Sequence, residues 1–166
     1  KILVTGGLGF IGSHTVVELS SQGFEIVIVD DLSNSSIDTL NGLQNITKKN
    51  LIFEKIDLKN KTLVKSLFNK YNDIDGVIHF AASKAVGESV INPLKYYENN
   101  LITLINLLQE INIKERDISF IFSSSCTVYG QAKELPITEK ETIKEAESPY
   151  GNTKQICEEI LKDSCL

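Results

Sequence analysis

Short apolar runs alternate along the chain with stretches whose apolar residues recur every three or four positions. Ile2-Leu3-Val4-Thr5 is the first run and breaks into glycines. From Phe10 to Leu19 the spacing turns helical, and Gly23 is placed to end that helix. Ile26–Val29 reads as a buried strand ending at Asp30-Asp31, followed by a polar turn and a weaker helix around Ile37–Ile46. A third strand spans Leu51–Ile56, ahead of Asp57, with a helix near residues 60–70 behind it. Gly76–Phe80 is a fourth strand, closed by Ala81-Ala82. Leu94, Tyr97, Leu101, Leu104, Leu108 and Ile111 mark a long helix and predict its core stripe. Ile118–Phe122 is a fifth strand running into Ser123-Ser124-Ser125, and a last helix begins near Pro149. Nearly uniformly apolar strands alternating with helices predict an α/β fold, a doubly wound parallel sheet covered on both faces. Such sheets bind ligands at the carboxyl ends of their strands, where most of the chemically suggestive residues fall.

Composition narrows this picture without changing it. With 166 residues, 42% hydrophobic and 23% charged, the chain has the makeup of one soluble domain, spanning 1–166. A net charge of −5 without a basic cluster argues against a nucleic-acid partner. No apolar run approaches a membrane span, and with a strand-like run beginning at once no signal peptide is expected. Cys126, Cys157 and Cys165 form no Cys-x-x-Cys pair, which favours free thiols in a reducing cytoplasm over disulfides or a metal site. His14 and His79 fit no triad or metal cluster and read as structural. The chain has no Met and its last helix has no stop signal, so it reads as a fragment of a longer protein.

Gly7-x-Gly9-x-x-Gly12 overlaps Gly6-x-x-Gly9-x-x-Gly12, between a predicted strand and helix. In that setting the glycines let a pyrophosphate approach the backbone, and the amides opening the helix face the anion. Asp30 lies eighteen residues beyond Gly12, at a strand end where a carboxylate can accept from both ribose hydroxyls. It would repel a 2′-phosphate and no Arg stands nearby, so NAD is expected over NADP. Asp57 suits the adenine edge, the plain alternative being a helix N-cap.

Tyr150 and Lys154 stand at i and i+4 on one helix face. An ammonium about 6 Å along the axis favours tyrosinate, lowering a phenol pKa from its reference near ~10 toward a working general base. Ser125, just past the fifth strand, can hydrogen-bond a substrate oxygen. A solvated pair is the usual reading of Tyr-x-x-x-Lys alone; with the serine and the glycine loop the set points to dehydrogenase-type chemistry.

The run Thr5-Gly6-Gly7-Leu8-Gly9-Phe10-Ile11-Gly12-Ser13-His14 resembles the opening of extended short-chain dehydrogenases/reductases. His79–Val90, Pro93–Asn100 and Phe122–Gly130 narrow the resemblance to the UDP-glucose 4-epimerase family, with Lys84–Val90 and Tyr96–Asn100 the most selective parts. It covers essentially the whole chain. The resemblance implies Ser125, Tyr150 and Lys154 as the catalytic set. It places dinucleotide contacts on Phe10, Ile11, Asp30, Asp31, Asn34 and Ser35, beside Gly6, Gly9 and Gly12 of the loop. It adds Asp57, Leu58, Phe80, Ala81, Lys84 and Asn99. Two positions depart from the family pattern: Cys126 replaces the usual alanine, and Ala82 a common glycine.

What the resemblance implies is NAD-dependent 4-epimerisation of a UDP-hexose in galactose metabolism, through a 4-keto sugar and with no net redox change. It also implies a homodimer through residues 93–112 and 149–163 and a C-terminal sugar-holding lobe, so that this chain alone would be inactive. An N-acetylated UDP-sugar as substrate stays open. A 4,6-dehydratase wants an acid pair where Cys126-Thr127 stands, and a non-catalytic NAD sensor has no need of Ser125, Tyr150 and Lys154.

Overall fold

The structure is a computed structural model and describes residues 1–114, 117–132 and 135–164. In chain order the elements are β1 (Ile2–Thr5), α1 (Phe10–Ser21), β2 (Ile26–Asp30), α2 (Ile37–Thr47), β3 (Ile52–Lys55) and α3 (Lys61–Lys70). They continue with β4 (Gly76–His79), α4 (Val86–Ile91), α5 (Pro93–Ile113), β5 (Ser119–Phe122), a 3-10 turn (Cys126–Tyr129) and α6 (Pro149–Ser164). All five strands pair in parallel in the order β3-β2-β1-β4-β5. The predicted doubly wound sheet is therefore present. Its order reverses between β1 and β4, the switch point at which such sheets take ligands. The chain divides into two compact units, Lys1–Ala81 with Asn106–Ser123, and Ala82–Ile105 with Ser124–Leu166.

The first unit holds the sheet. Alternate residues of its central strands face opposite layers, as strand geometry requires. Leu3, Val27, Val29 and Val77 pack with Val64, Leu67 and Phe68 of α3 and Leu107 of α5. Val4, Ile26 and Ile28 pack with Leu8, Val16 of α1 and Leu43 of α2. Each fully buried aliphatic contributes about 1.5–3 kcal/mol, so the two-sided burial of β2 anchors the layer arrangement. The edge strands depart from the uniformly apolar expectation: Ile52 and Ile121 are exposed, because an edge has one neighbour fewer. Gly23 follows α1 with a φ of 84°, the left-handed step that stops the helix.

The second unit is helical. Ser148 Oγ accepts from the Gly151 amide at 3.1 Å and opens α6. The 3-10 turn and α4 pack against α6. Two of these elements escaped the sequence: α4 is too short to show a period, and so is the 3-10 turn. The core stripe read along α5 holds at Leu104 and Leu108, which are buried, and at Ile111, which packs on the core, but fails at Leu94, which is 77% exposed. The buried face also takes in Tyr96, Asn100, Thr103 and Leu107, whose polar members hydropathy does not assign to a core.

Among the described residues, no helix is long and apolar enough to cross a membrane. No group of three or more His, Cys, Asp or Glu among them is placed to hold a metal.

Candidate functional site

In the first unit, the loop from β1 to α1 is shaped by what its glycines prevent. Gly6 has a φ of 64°, and a Cβ there would lie 2.8 Å from the Ala81 amide nitrogen. A Cβ on Gly12 would come within 2.3 Å of the Gly6 carbonyl oxygen. Both are contacts with backbone, which cannot step aside. Gly9 differs: its Cβ would meet only the Gly6 oxygen, at 3.2 Å, and otherwise open space. Packing alone therefore accounts for Gly6 and Gly12, while the open side of Gly9 leaves room for something from outside.

Helix α1 begins after Gly9 with no side-chain cap. Its first amides are thus available to an anion, and the helix dipole favours one there. Phe10 and Ile11, the first two residues of the helix, are 78% and 55% exposed. The ring of His14 lies edge-on to Phe10, 5.0 Å between centroids.

Asp30, 8% exposed at the end of β2, is tied to the same loop. Its Oδ2 accepts from the Leu8 amide (3.1 Å), and its Oδ1 accepts from the Leu32 amide (3.0 Å) and Ser35 Oγ (2.7 Å). A carboxylate offers about four acceptor positions, so one remains while the Ser35 hydroxyl stays in place. Holding the glycine loop is a role the sequence did not reveal. Asp31 accepts from the amide and hydroxyl of Ser33, and Asn34 is exposed beside them.

Asp57 is exposed and accepts from the Lys59 amide at 2.9 Å. It is not a helix N-cap; Asn60 fills that role through the Leu63 amide. Leu58 is buried in the core, so only its backbone could meet a ligand. That turn is pinned from α5, where Asn106 Nδ2 donates to the carbonyls of Leu58 (2.9 Å) and Lys59 (3.0 Å). After β4, the Phe80 amide donates to the Thr5 carbonyl and the Ala81 amide to Thr5 Oγ1. Thr5 Oγ1 also lies 2.7 Å from His79 Nδ1. His79 is buried and stacks on Phe122, which fits the structural role expected of it.

In the second unit, Lys84 is exposed ahead of α4, and Asn99 Nδ2 donates to Asn100 Oδ1. Asn100, whose role the sequence missed, joins three segments. Its Oδ1 accepts from the Ser83 amide (2.8 Å), and its Nδ2 donates to the Ser83 carbonyl and to Thr153 Oγ1 (both 3.0 Å). Thr153 in turn donates to the Tyr150 carbonyl at 2.7 Å. The one sequence signal was the place of Asn100 in the Tyr96–Asn100 segment.

Tyr150 and Lys154 are both buried on α6. The Lys154 ammonium lies 6.0 Å from the centre of the Tyr150 ring, as the i,i+4 spacing predicts. Burial pushes Lys154 down to about 8, so it keeps its proton at neutral pH but holds it loosely. Tyr96 packs edge-on against Tyr150 at 6.5 Å. Ser125 caps the 3-10 turn, its Oγ accepting from the amide (3.3 Å) and hydroxyl (2.9 Å) of Thr127. Those bonds leave the Ser125 proton free to be donated. Cys126 is exposed next to it, while Cys157 is buried and its thiol is pushed up to about 11. Cys165 lies outside the described residues.

The first unit thus carries a loop of backbone fit to cradle an anion, and the second a tyrosine-lysine pair with a serine turn packed on its helix. Residues 3–164 match the family model described as GDP-mannose 4,6 dehydratase. A UDP-glucose 4-epimerase of Bacillus subtilis is 50% identical over 98% of this chain and 47% of its own length. The crystal structure of a UDP-glucose 4-epimerase from Bifidobacterium longum, in complex with NAD+ and UDP, is 45% identical. It superposes with a TM-score of 0.91 over 98% of this chain and 48% of that one. A UDP-Glc/GlcNAc 4-epimerase of Campylobacter jejuni is 36% identical, with the same TM-score and the same coverage. The chain spans about half the length of the curated relatives it matches. The resemblance read from Lys84–Val90 and Tyr96–Asn100 stands in these identities. The chain belongs to the GDP-mannose 4,6 dehydratase family.

Proposed function

We propose that this chain is the NAD-binding and proton-transferring half of a UDP-sugar 4-epimerase, acting on UDP-glucose and UDP-galactose. The observation that carries the reading is the buried Tyr150–Lys154 pair in a chain half-identical to UDP-glucose 4-epimerases. The first unit fits the cofactor: α1 is uncapped, Gly9 has an open side, and Asp30 keeps an acceptor position. In this reading Gly6, Gly9, Gly12, Phe10 and Ile11 hold the pyrophosphate, Asp30, Asp31, Asn34 and Ser35 the adenosine ribose, and Asp57 and Leu58 the adenine. Phe80, Ala81, Lys84 and Asn99 serve the rest of the dinucleotide.

NAD, if held there, would supply reversible hydride chemistry at the sugar C4 with no net redox change. The chain's own residues move the proton. Tyr150 removes it from the 4-hydroxyl and gives it back after the 4-keto sugar has turned over. Lys154, positive at neutral pH, favours the tyrosinate that this needs. Ser125 steadies the sugar oxygen through its free proton. Sugar recognition falls to a lobe beyond these 166 residues, and the chain alone is expected not to epimerise. Pairing of α5 and α6 with a second copy completes the proposal.

The test is conversion of UDP-galactose to UDP-glucose by the protein at the full length of its relatives. Tyr150→Phe is expected to lower kcat by about 10²–10⁴ while NAD stays bound. An undiminished rate in that variant would overturn the assignment.

A further inference from the structure

Gln155 is a half-buried side chain of α6 that the reaction just described does not use. Its carboxamide nitrogen carries two protons and gives both to backbone. Nε2 donates to the Val128 carbonyl at 2.7 Å and to the Lys144 carbonyl at 2.5 Å. Val128 belongs to the 3-10 turn, whereas Lys144 lies on the segment that returns from this turn to α6.

Helix register explains why one side chain reaches both. Gly151, Gln155 and Glu158 follow each other at spacings of four and three, on a face of α6 beside the one carrying Tyr150 and Lys154. A Cβ on Gly151 would stand 3.2 Å from the Thr127 carbonyl oxygen, so the turn presses on α6 there. Ser124 Oγ donates to Glu158 farther along the same face. Gly130 ends the turn with a φ of 57°, and a Cβ on it would fall 2.5 Å from the Glu145 carbonyl oxygen. Turn and returning segment therefore meet at α6, and Gln155 bonds to both.

Resting on the function proposed above, we infer that Gln155 is a positioning residue that staples the serine turn to α6 and so sets where the Ser125 hydroxyl stands relative to Tyr150.

The coupling runs through two hydrogen bonds. Gln155 holds the Val128 carbonyl, and the Val128 amide donates to the Ser125 carbonyl at 3.2 Å. Ser125 Oγ accepts from Thr127 within the same turn. Val128 is 3% exposed, so a carbonyl released by Gln155 has little water to turn to, and the turn must shift to satisfy it. Ser125 opens on a cleft of about 400 Å³ whose lining includes residues 137–139 of the returning segment. A reacting group displaced by about 1 Å can lose about 10²-fold in rate, so a small release of the turn is enough to be read in kcat.

Gln155→Met keeps the length of the side chain and removes both donors. In the full-length enzyme it is expected to lower kcat for UDP-galactose about tenfold, with KM and NAD affinity within about twofold of native. The deciding measurement is a double-mutant cycle with Ser125→Ala. A residue that acts through Ser125 has little left to lose in that background, where Gln155→Met should cost less than about twofold. An unchanged kcat, or the same loss in both backgrounds, overturns the inference. If Gln155→Met does not fold, Gln155→Asn, whose amide stops one methylene short, takes its place in the cycle under the same outcomes. Independently of turnover, the Val128 amide is expected to exchange with solvent about tenfold faster in the variant than in the native protein. A native enzyme that fails to epimerise while its variant shows this faster exchange removes the proposed function and leaves the staple standing. Unchanged exchange overturns the staple itself.

Discussion

The two units build their candidate sites from opposite materials. In the loop from Thr5 to Gly12 the working surface is backbone, and the residues that matter contribute by lacking a side chain. On α6 and the turn before it the working surface is side chains, each held by others: Thr153 by Asn100, Ser125 by Thr127, Ser124 by Glu158. A backbone site fails when atoms are added, a side-chain site when they are removed. The difference predicts how each tolerates substitution.

The largest effect is expected in the loop. Gly12→Ala sets a Cβ 2.3 Å from the Gly6 carbonyl oxygen, and either α1 or the loop must move. Overpacking against backbone in a fixed layer should destabilise by about 3 kcal/mol or more, read by urea denaturation of the protein. A loss below about 0.5 kcal/mol would mean that α1 is not seated on the loop as described.

Asn100→Ala is the counterpart in the second unit. It deletes four side-chain hydrogen bonds, one of them from Asn99, and leaves the Ser83 amide and carbonyl without their partner. The expected destabilisation is about 2–3 kcal/mol, and Asn100→Asp, which keeps only the acceptor, should recover little of it. If Asn100→Ala matched the native midpoint, the picture of α6 held through α5 would fail.

This contrast also explains what could be read from the chain beforehand. A glycine repeat between a strand and a helix is legible because few other needs produce it. Tyr150 and Lys154 are legible because i,i+4 spacing is a property of one helix. Asn100, Thr153 and Glu158 are ordinary polar residues whose long-range partners lie 17 to 53 positions away, and no local pattern announces them. The same cause hid part of the buried face of α5. Beside Leu104 and Leu108 that face includes Asn100, Thr103 and Asn106, which hydropathy assigns to solvent until their hydrogen bonds are known. Asp30 was found for its place at a strand end, yet its grip on the Leu8 amide shows only in three dimensions.

The smallest structural change is the most discriminating. Gly9→Ala adds one methyl that touches only the Gly6 oxygen, at 3.2 Å, a contact that a few tenths of an ångström would relieve. Stability should fall by no more than about 1 kcal/mol. If the open side of Gly9 is where a pyrophosphate approaches α1, the same methyl stands between the anion and the first helix amides. NAD affinity, measured by titration calorimetry on cofactor-free protein, should then weaken at least about tenfold, or about 1.4 kcal/mol. The ratio of the two losses carries the argument, since Gly12→Ala should harm folding first and Gly9→Ala binding first. Equal NAD affinity in Gly9→Ala and the native protein would place the anion elsewhere and leave all the loop glycines to packing alone.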